Sequence, residues 1–286
     1  MAAELMDGKA VAQNLLTETA ERARAFEESF GRKPCLATVL VGDDPASHTY
    51  VRMKANRCRS TGIESRRVEL AAEATTAQLV EEITRLSDDD EVDGILLQHP
   101  VPDQVDERAA FEAIPARKDV DGVTMRSFAA MAFDEPGFTS CTPGGIMRLL
   151  AAYDVAPRGL HAVVVGRSPI LGKPVGMLLL AQHATVTYCH SRTAHLDEVV
   201  AEGDIVVAAV GKPELVRGAW VKPGSVVIDA GYNPGNVGDV EFETAQGRAR
   251  LITPVPGGVG PMTIAVLLAQ TVDAALAHTS SPAPVT

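Results

Sequence analysis

The sequence is poor in the patterns that build metal and disulfide sites. Its four cysteines, Cys35, Cys58, Cys141 and Cys189, form no C-x-x-C pair and have no regularly spaced histidine partner. Its seven histidines form no H-E-x-x-H pattern. We therefore expect reduced, mostly buried thiols in a cytoplasmic protein, and no metal site.

Positive charge and long apolar runs are also scarce. The net charge is −11 and the isoelectric point about 5.1. A broad nucleic-acid surface needs clustered lysine and arginine, so we expect no nucleic-acid partner. A small basic pocket for a phosphate is compatible with this net charge. No apolar run approaches the ~18–20 residues of a membrane span. The N-terminus lacks the basic and apolar regions of a signal peptide, so we expect no membrane partner.

What is present is the alternation of an α/β protein. The chain has 286 residues, 46% of them hydrophobic, which suits one large domain or two ordinary ones. Helical periodicity runs from about Gly8 to Phe30 and stops at Gly31. The strand pattern CLATVLVG and the threonine-capped helix pattern TTAQLVEEITRLS follow. This order predicts helices covering a mainly parallel sheet.

The pattern loosens between Lys118 and Gly145 and then alternates again, which indicates a second α/β domain. We predict that residues 1–140 and 270–286 form the first domain, with the closing helix returning to it. Residues 141–269 would form a Rossmann-like domain. The active-site cleft is expected between the two.

A candidate phosphate loop opens the second domain in AVVVGRSPILGKPVGMLLLA. The stretch reads as a strand, a turn over Gly166, Arg167 and Ser168, and a helix. In this arrangement the free N–H groups and the positive end of the helix point toward one place, where a phosphate can bind. The glycine spacing alone is a weak signal, since structural turns share it. An NAD-preferring fold carries an acidic residue after the next strand, whereas here Ser191 and Arg192 stand there. Together with Arg167 they suit the 2′-phosphate of NADP; an Arg167 that contacts only solvent is the alternative.

Four residues of the first domain form a candidate site. Tyr50 and Lys54 lie four apart on a predicted helix and share a face. Gln98 ends a strand, where ligands of open α/β sheets gather, and Asp121 lies in the KDVDG loop. Taken singly, each has an ordinary structural explanation, and the sequence does not show that they meet.

These stretches together resemble the bifunctional methylenetetrahydrofolate dehydrogenase/cyclohydrolase family. The resemblance rests on VGDDPASHTYVRMKANRC, GILLQHPVP, KDVDG, CTPGGIMRLL, VVVGRSPILGKPVGMLLL and ITPVPGGVGPMT, which run in family order over nearly the whole chain. It implies NADP-dependent oxidation of 5,10-methylenetetrahydrofolate and hydrolysis of the methenyl product to 10-formyltetrahydrofolate. It also implies tetrahydrofolate derivatives as ligands and a homodimer formed through the cofactor domain.

The resemblance also implies roles for single residues. Lys54 matches the catalytic lysine, Gln98 its amide partner, Tyr50 the residue that stacks on the folate, and Asp121 the carboxylate that binds the pterin. The folate loop matches Pro256, Gly257 and Gly260, and the dinucleotide site matches Thr142, Gly166, Arg167, Ser168, Ser191 and Tyr232. A lysine whose pKa is lowered by burial or nearby positive charge can act as base and then acid in hydration of a methenyl cation.

Four sites depart from the family pattern. His99 replaces the leucine of Q-L-P-L-P, Asn56 replaces a second lysine, and Tyr232 replaces the isoleucine of G-I-N. The histidine of D-V-D-G-F-H is also missing, since Val123 and Thr124 follow the glycine. They leave two alternatives to the bifunctional enzyme. One is a dehydrogenase with little or no cyclohydrolase activity, and the other is a non-catalytic nucleotide-binding protein on the same scaffold.

Overall fold

The structure is a computed structural model that describes residues 2–280; the side chains of residues 45–47, 49, 50 and 280 lie outside the described part. Its elements in chain order are β1 (Glu4–Leu5), α1 (Gly8–Phe30), β2 (Cys35–Val41), α2 (Pro45–Ser60), β3 (Glu64–Leu70), α3 (Thr76–Ser87), β4 (Gly94–Leu97), α4 (Glu107–Glu112), α5 (Met125–Phe133), α6 (Cys141–Ala152), β5 (His161–Val165), α7 (Gly172–Ala181), β6 (Thr185–Cys189), α8 (Leu196–Glu202), β7 (Ile205–Ala208), β8 (Val226–Asp229), α9 (Phe242–Gln246), β9 (Leu251–Ile252) and α10 (Val259–Ser280).

The chain divides into two compact units. The three-stranded unit contains Asn14–Ala130, Pro136–Thr139 and the described residues from Ile264 onward. The six-stranded unit contains the described residues up to Gln13, together with Met131–Glu135 and Ser140–Thr263. The prediction of two α/β units is confirmed.

The three-stranded unit has the parallel strand order β3-β2-β4. The central strand β2 is buried along its whole length, as its run of apolar residues predicts. Two local signals read from the sequence are confirmed. Thr75 caps α3 and forms a capping box with Gln78. Gly31 directly follows α1 with a φ of 71°, a left-handed conformation that glycine adopts without a steric penalty.

The six-stranded unit is Rossmann-like. Its parallel strand order is β1-β9-β8-β7-β5-β6, so the order reverses between β5 and β7. Ligands of such sheets bind at the carboxyl ends of the strands beside that reversal. The core is made largely of valine, including the fully buried Val163, Val206 and Val227.

The N-terminal boundary of the predicted first domain needs correction. β1 pairs with β9 at the edge of the six-stranded sheet, with Glu4 N donating to Arg250 O at 2.9 Å and Met6 N donating to Ile252 O at 2.9 Å. The first residues therefore belong to the six-stranded unit. A strand of two residues has too little pattern to be recognised from sequence. The loose stretch between Lys118 and Gly145 also contains a regular helix, α5.

The statement that no apolar run approaches a membrane span also needs correction. The stretch Val259–Thr279 is long and apolar enough to cross a membrane by length and composition, but 67% of it is buried inside the protein. It also carries the buried polar residues Gln270 and Thr271. These features are those of a core helix of a folded domain.

Candidate active site

The centre of the candidate site is a contact between Lys54 and Gln98 in the three-stranded unit. The Lys54 Nζ atom, in the third turn of α2, donates to Gln98 Oε1 at 2.9 Å. Gln98 directly follows β4 and is 7% exposed, while Lys54 is half-buried. The structure thus brings together two residues that lie 44 positions apart in the sequence.

The carboxamide of Gln98 has a defined orientation. Its Nε2 atom donates to the backbone oxygen of His99 at 2.8 Å, which leaves Oε1 to accept from Lys54. The backbone N–H of Gln98 donates to Val39 O at 2.8 Å and fixes the residue at the end of the sheet. Because the backbone positions the amide, the amide can position the amine of Lys54.

His99, the histidine that departs from the family pattern, packs away from this contact. Its ring meets the ring of Phe111 in α4 edge-on, with centroids 6.3 Å apart. The guanidinium of Arg108 lies over the Phe111 ring, 5.1 Å from its centroid. His99 therefore contributes its backbone oxygen to Gln98 and its ring to an aromatic contact.

The structure places Tyr50 and Asp121 less completely. Tyr50 lies on α2 one turn before Lys54, but its side chain is outside the described residues. Asp121 is half-buried and lies in the loop between α4 and α5. Gly122 follows it with a φ of 65°, and the Gly122 N–H donates to Asp119 O at 3.0 Å. The loop is thus a tight turn, and Asp121 lies within it and is partly exposed.

Asp119 anchors this loop and was missed from the sequence. Its buried carboxylate accepts from Val123 N at 3.1 Å, from Thr124 N at 3.0 Å and Oγ1 at 2.7 Å, and from Ser127 Oγ at 2.5 Å. Burial raises the pKa of Asp119, although these hydrogen bonds oppose the shift. The sequence offers two aspartates in KDVDG, and only burial distinguishes the anchor from the half-buried Asp121.

The phosphate loop in the six-stranded unit has the geometry of a cradle. Gly166 directly follows β5 and has a φ of 141°, and a Cβ there would lie 2.2 Å from Ala209 O. A Cβ on Gly172 would lie 2.5 Å from Gly166 O, so both positions require glycine. The ten-residue helix α7 begins at Gly172, and within the described chain the residue before it, Leu171, makes no side-chain cap. The residues present therefore fit an anionic phosphate at this turn.

The cations of the predicted 2′-phosphate site lie at neighbouring strand ends. Arg167 follows β5, and Ser191 and Arg192 follow β6, which pairs with β5 in parallel. All three are exposed, and the Gly166 N–H donates to Cys189 O at 2.9 Å, which links the two ends. Among the ion pairs of the described residues, none involves Arg167 or Arg192.

The other predicted dinucleotide residues take separate positions. Ser168 Oγ accepts from Ile170 N at 3.3 Å and Leu171 N at 3.2 Å and shapes the turn itself. Thr142, near the start of α6, forms a 3.0 Å hydroxyl–hydroxyl hydrogen bond with Thr263. Tyr232 is 61% exposed. It follows β8, and its Oη atom donates to Asn236 Oδ1 at 2.8 Å.

The predicted folate loop leads into the first turn of α10, which contains Gly260. Pro256 is exposed, Gly257 has a φ of 113°, and Gly260 has open space where a Cβ would stand. The Gly258 N–H donates to Pro254 O at 2.8 Å and closes the turn.

Across residues 2–280, no group of three or more histidine, cysteine, aspartate or glutamate side chains could hold a metal ion.

These features define the class of protein: a two-unit α/β enzyme with a Rossmann-like dinucleotide unit and an oriented lysine–amide pair in the other unit. Two family models match the chain, the tetrahydrofolate dehydrogenase/cyclohydrolase catalytic domain over residues 6–121 and the NAD(P)-binding domain of the same enzymes over residues 140–279. The chain belongs to the tetrahydrofolate dehydrogenase/cyclohydrolase family.

Individual relatives agree over nearly the full length. The bifunctional protein FolD 1 of Salinispora arenicola is 69% identical over 97% of this chain and 100% of its own. The bifunctional FolD structure of Campylobacter jejuni is 41% identical with a TM-score of 0.94, covering 96% of this chain and 99% of that one. The Trypanosoma brucei FolD structure, complexed with NADP cofactor and inhibitor, is 36% identical with a TM-score of 0.94 over 98% and 100%.

Proposed function

We propose that the chain oxidises 5,10-methylenetetrahydrofolate with NADP⁺ and hydrolyses the resulting 5,10-methenyl compound to 10-formyltetrahydrofolate. The observation that carries this proposal is the hydrogen bond from Lys54 Nζ to Gln98 Oε1 within the matched catalytic domain. A protein that only bound nucleotide would have no need for an oriented amine in its other unit.

Lys54 is proposed to transfer the protons of the hydrolysis. In its neutral form the amine takes a proton from water as the water oxygen bonds to the methenyl carbon. It then returns that proton to the ring nitrogen as the carbon–nitrogen bond breaks, and the remaining hydroxyl proton is released to water as the formyl C=O bond forms. The lysine ends in its starting form, and the positive charge of the methenyl substrate leaves as that released proton. Gln98 would hold the amine in place through both steps, since its own orientation is fixed by the His99 backbone oxygen.

We assign binding of the folate to further residues of the two units. Tyr50, one turn before Lys54 on α2, would stack on the ring system. Asp121 would accept the neighbouring N–H and amino groups of the pterin in a bidentate contact. Pro256, Gly257 and Gly260 would lie beside the folate, since a loop of small residues lets a ligand approach the backbone.

The six-stranded unit would hold NADP. The Gly166–Ser168 turn and the first turn of α7 would bind the pyrophosphate, and Thr142 and Tyr232 would contact the rest of the dinucleotide. Arg167, Ser191 and Arg192 would select NADP over NAD through its 2′-phosphate. When bound, NADP⁺ supplies the hydride acceptor. The protein's part in that step is to align the ligands and exclude water.

A homodimer formed through this unit is also proposed. β6 is an edge strand of the sheet and carries no charged side chain, which leaves it able to pair with another chain. Leu180, on the neighbouring helix α7, is 55% exposed. Sedimentation should give a dimer mass for the wild type, and Leu180→Lys should shift it toward the monomer; an unchanged mass for the variant would place the interface elsewhere.

A cytoplasmic location is proposed from the thiols. All four cysteines are buried and outside any disulfide, as the sequence predicts. Burial raises the pKa of both Cys35 and Cys58 to about 12, which keeps these thiols in their unreactive form. Free thiols of this kind are typical of reducing compartments.

One assay tests the two activities together. Purified protein is mixed with methylenetetrahydrofolate and NADP⁺ or NAD⁺, and NADPH and methenyl absorbance are followed separately. We expect NADPH to form without accumulation of the methenyl compound, and NAD⁺ to be used poorly. Methenyl compound that decays only at its uncatalysed rate would indicate a dehydrogenase alone, and no reduced cofactor with either nucleotide would contradict the dehydrogenase.

A further inference from the structure

Two fully buried aspartates in the six-stranded unit have no part in the function proposed above. Asp229 is the last residue of β8 and is 2% exposed, and Asp239, ten residues further on, is 0% exposed. Burying a carboxylate is costly unless strong hydrogen bonds compensate for the lost hydration. The hydrogen-bond partners of the two carboxylates therefore indicate which parts of the backbone they stabilise.

Asp239 gathers four N–H donors from two different loops. Its Oδ2 atom accepts from Val210 N at 2.6 Å and Gly211 N at 2.9 Å. Its Oδ1 atom accepts from Lys212 N at 2.9 Å and Asn233 Nδ2 at 3.0 Å. Both oxygens of the side chain thus face donors. An amide would turn its own N–H₂ group toward N–H groups, so the position requires a carboxylate.

Asp229 holds the backbone of Asp239 in place. Its Oδ1 atom accepts from Gly231 N and Asp239 N, each at 2.9 Å, and its Oδ2 atom accepts from Val240 N at 2.9 Å. The backbone packs tightly around both groups. A Cβ on Gly231 would lie 2.2 Å from Asp239 Cγ, and a Cβ on Gly238 would lie 1.9 Å from Asp229 Oδ2.

The loop after β7, which Asp239 holds at residues 210–212, adjoins the phosphate cradle. The Ala209 N–H donates to Val165 O at 2.8 Å, and the missing Cβ of Gly166 would fall 2.2 Å from Ala209 O. The second loop, residues 231–233, follows β8. In a Rossmann-like sheet these two loops, beyond the reversal of strand order, border the second half of the dinucleotide.

We propose that Asp239 is a positioning residue for NADP. Its carboxylate would fix the loops after β7 and β8 in the arrangement that receives the nicotinamide half of the cofactor. Asp239 itself does not touch the cofactor; it acts through the backbone of Val210–Lys212 and the side chain of Asn233. The inference rests on the proposed placement of NADP at the carboxyl ends of these strands.

The test compares Asp239→Asn with the same substitution at a second carboxylate of the unit. Asp204 directly precedes β7 and lies at the amino-terminal end of that strand, whereas the two loops follow the carboxyl ends of β7 and β8. Its carboxylate accepts from His161 N at 2.9 Å and Lys222 Nζ at 2.6 Å. Asp204→Asn therefore removes a hydrogen-bonded carboxylate of the same unit that contacts neither of the two loops. Thermal midpoints are measured for both variants alongside the kinetics.

For Asp239→Asn we expect the KM for NADP⁺ to rise about tenfold or more, since several charge-assisted contacts to the loops are lost. The cyclohydrolase rate on added methenyl substrate should stay within about twofold of wild type, because Lys54 and Gln98 belong to the other unit. Asp204→Asn should leave the KM for NADP⁺ within about twofold of wild type.

An unchanged KM for NADP⁺ in a folded Asp239→Asn protein would overturn the proposal, as would an equal rise in Asp204→Asn. If Asp239→Asn does not fold, Asn233→Ala decides, since it removes one donor from Asp239; it should raise the KM for NADP⁺ about threefold or more, and no rise would overturn the proposal. Wild-type binding of NADP⁺, measured in parallel by calorimetry, separates a failure of this inference from a failure of the proposed function.

Discussion

The amine of Lys54 donates to the side-chain oxygen of Gln98 at 2.9 Å, and the amide nitrogen of Gln98 donates in turn to the His99 backbone oxygen at 2.8 Å. This chain of hydrogen bonds gives the amine one defined neighbour whose orientation the backbone sets. The account of the hydrolysis depends on it, because a base and acid must stay aligned through two proton transfers.

Replacement of Gln98 by glutamate tests that alignment through charge. A carboxylate beside Lys54 would hold the amine in its protonated form, so less of the neutral base is present at neutral pH. We expect Gln98→Glu to lower cyclohydrolase activity at pH 7 by about a hundredfold and to recover part of it at higher pH. Gln98→Leu, which adds no charge, should be slow without that shift in the pH profile. Superimposable profiles for wild type and Gln98→Glu would contradict the assignment.

Arg167→Ala tests the selection of the dinucleotide. Loss of a charge-assisted hydrogen bond to the 2′-phosphate should raise the KM for NADP⁺ about 10- to 100-fold and leave the KM for NAD⁺ unchanged. Arg158, an exposed arginine before β5 at the amino end of the sheet, is the matched control. Steady-state kinetics with both nucleotides decide. An equal loss with NADP⁺ and NAD⁺ would show that Arg167 does not recognise the 2′-phosphate.

Two buried carboxylates should titrate on opposite sides of the ordinary aspartate pKa of 3.8. Burial raises the pKa of Asp229 to about 6, which its backbone hydrogen bonds only partly offset. The folded state then takes up a proton between about pH 6 and 3.8 that the unfolded state does not, so this group opposes folding by about 3 kcal/mol above pH 6 and less as the pH falls. Carboxyl NMR should show one aspartate titrating near pH 6 that is absent from Asp229→Asn; titration of all aspartates below pH 4.5 would be inconsistent with this.

Asp93 behaves in the opposite way. Burial alone would raise its pKa, but hydrogen bonds from Arg32, His278 and the Cys35 N–H outweigh burial and hold the pKa below 3.8. Its contribution to stability is therefore complete above about pH 4 and is lost as the pH falls through the lowered value.

Breaking this buried pair should be costly. Arg32 binds both Asp93 oxygens, at 2.7 and 2.8 Å, so Asp93→Asn should lower the free energy of unfolding by about 3–5 kcal/mol. Arg22→Gln, which breaks the exposed ion pair between Arg22 and Asp273, should cost at most about 1 kcal/mol. Urea unfolding at pH 7 measures both, and equal costs for the two variants would refute the distinction.

The sequence predicts the local parts of this protein better than the long-range ones. Helical periodicity places Tyr50 and Lys54 on one helix, and the strand pattern places Gln98 at the end of β4. The contact between Lys54 and Gln98 joins two elements, so spacing along the chain does not determine it. Only the resemblance to a known family connected the two residues before the structure did.

Buried acidic residues are the clearest omission. Asp119 lies in a loop, Asp239 follows Gly238, and Asp229 ends β8 two residues before Gly231. All three are buried, although aspartate at such positions usually forms a solvated turn. Their function as acceptors for backbone N–H groups depends on which loops fold over them. No periodic pattern in the sequence shows which loops cover a given aspartate. The strand β1 was missed because its two residues are too few to form a periodic pattern.

The most direct test of the account is the variant Lys54→Met, compared with Arg57→Met one turn further along α2, where Arg57 is exposed. Hydrolysis of added methenyltetrahydrofolate and binding of NADP⁺ are measured on both proteins. We expect Lys54→Met to lose at least about a hundredfold in hydrolysis and to bind NADP⁺ as the wild type does, with Arg57→Met normal in both. Unchanged hydrolysis in Lys54→Met would contradict the central claim that this amine transfers the protons.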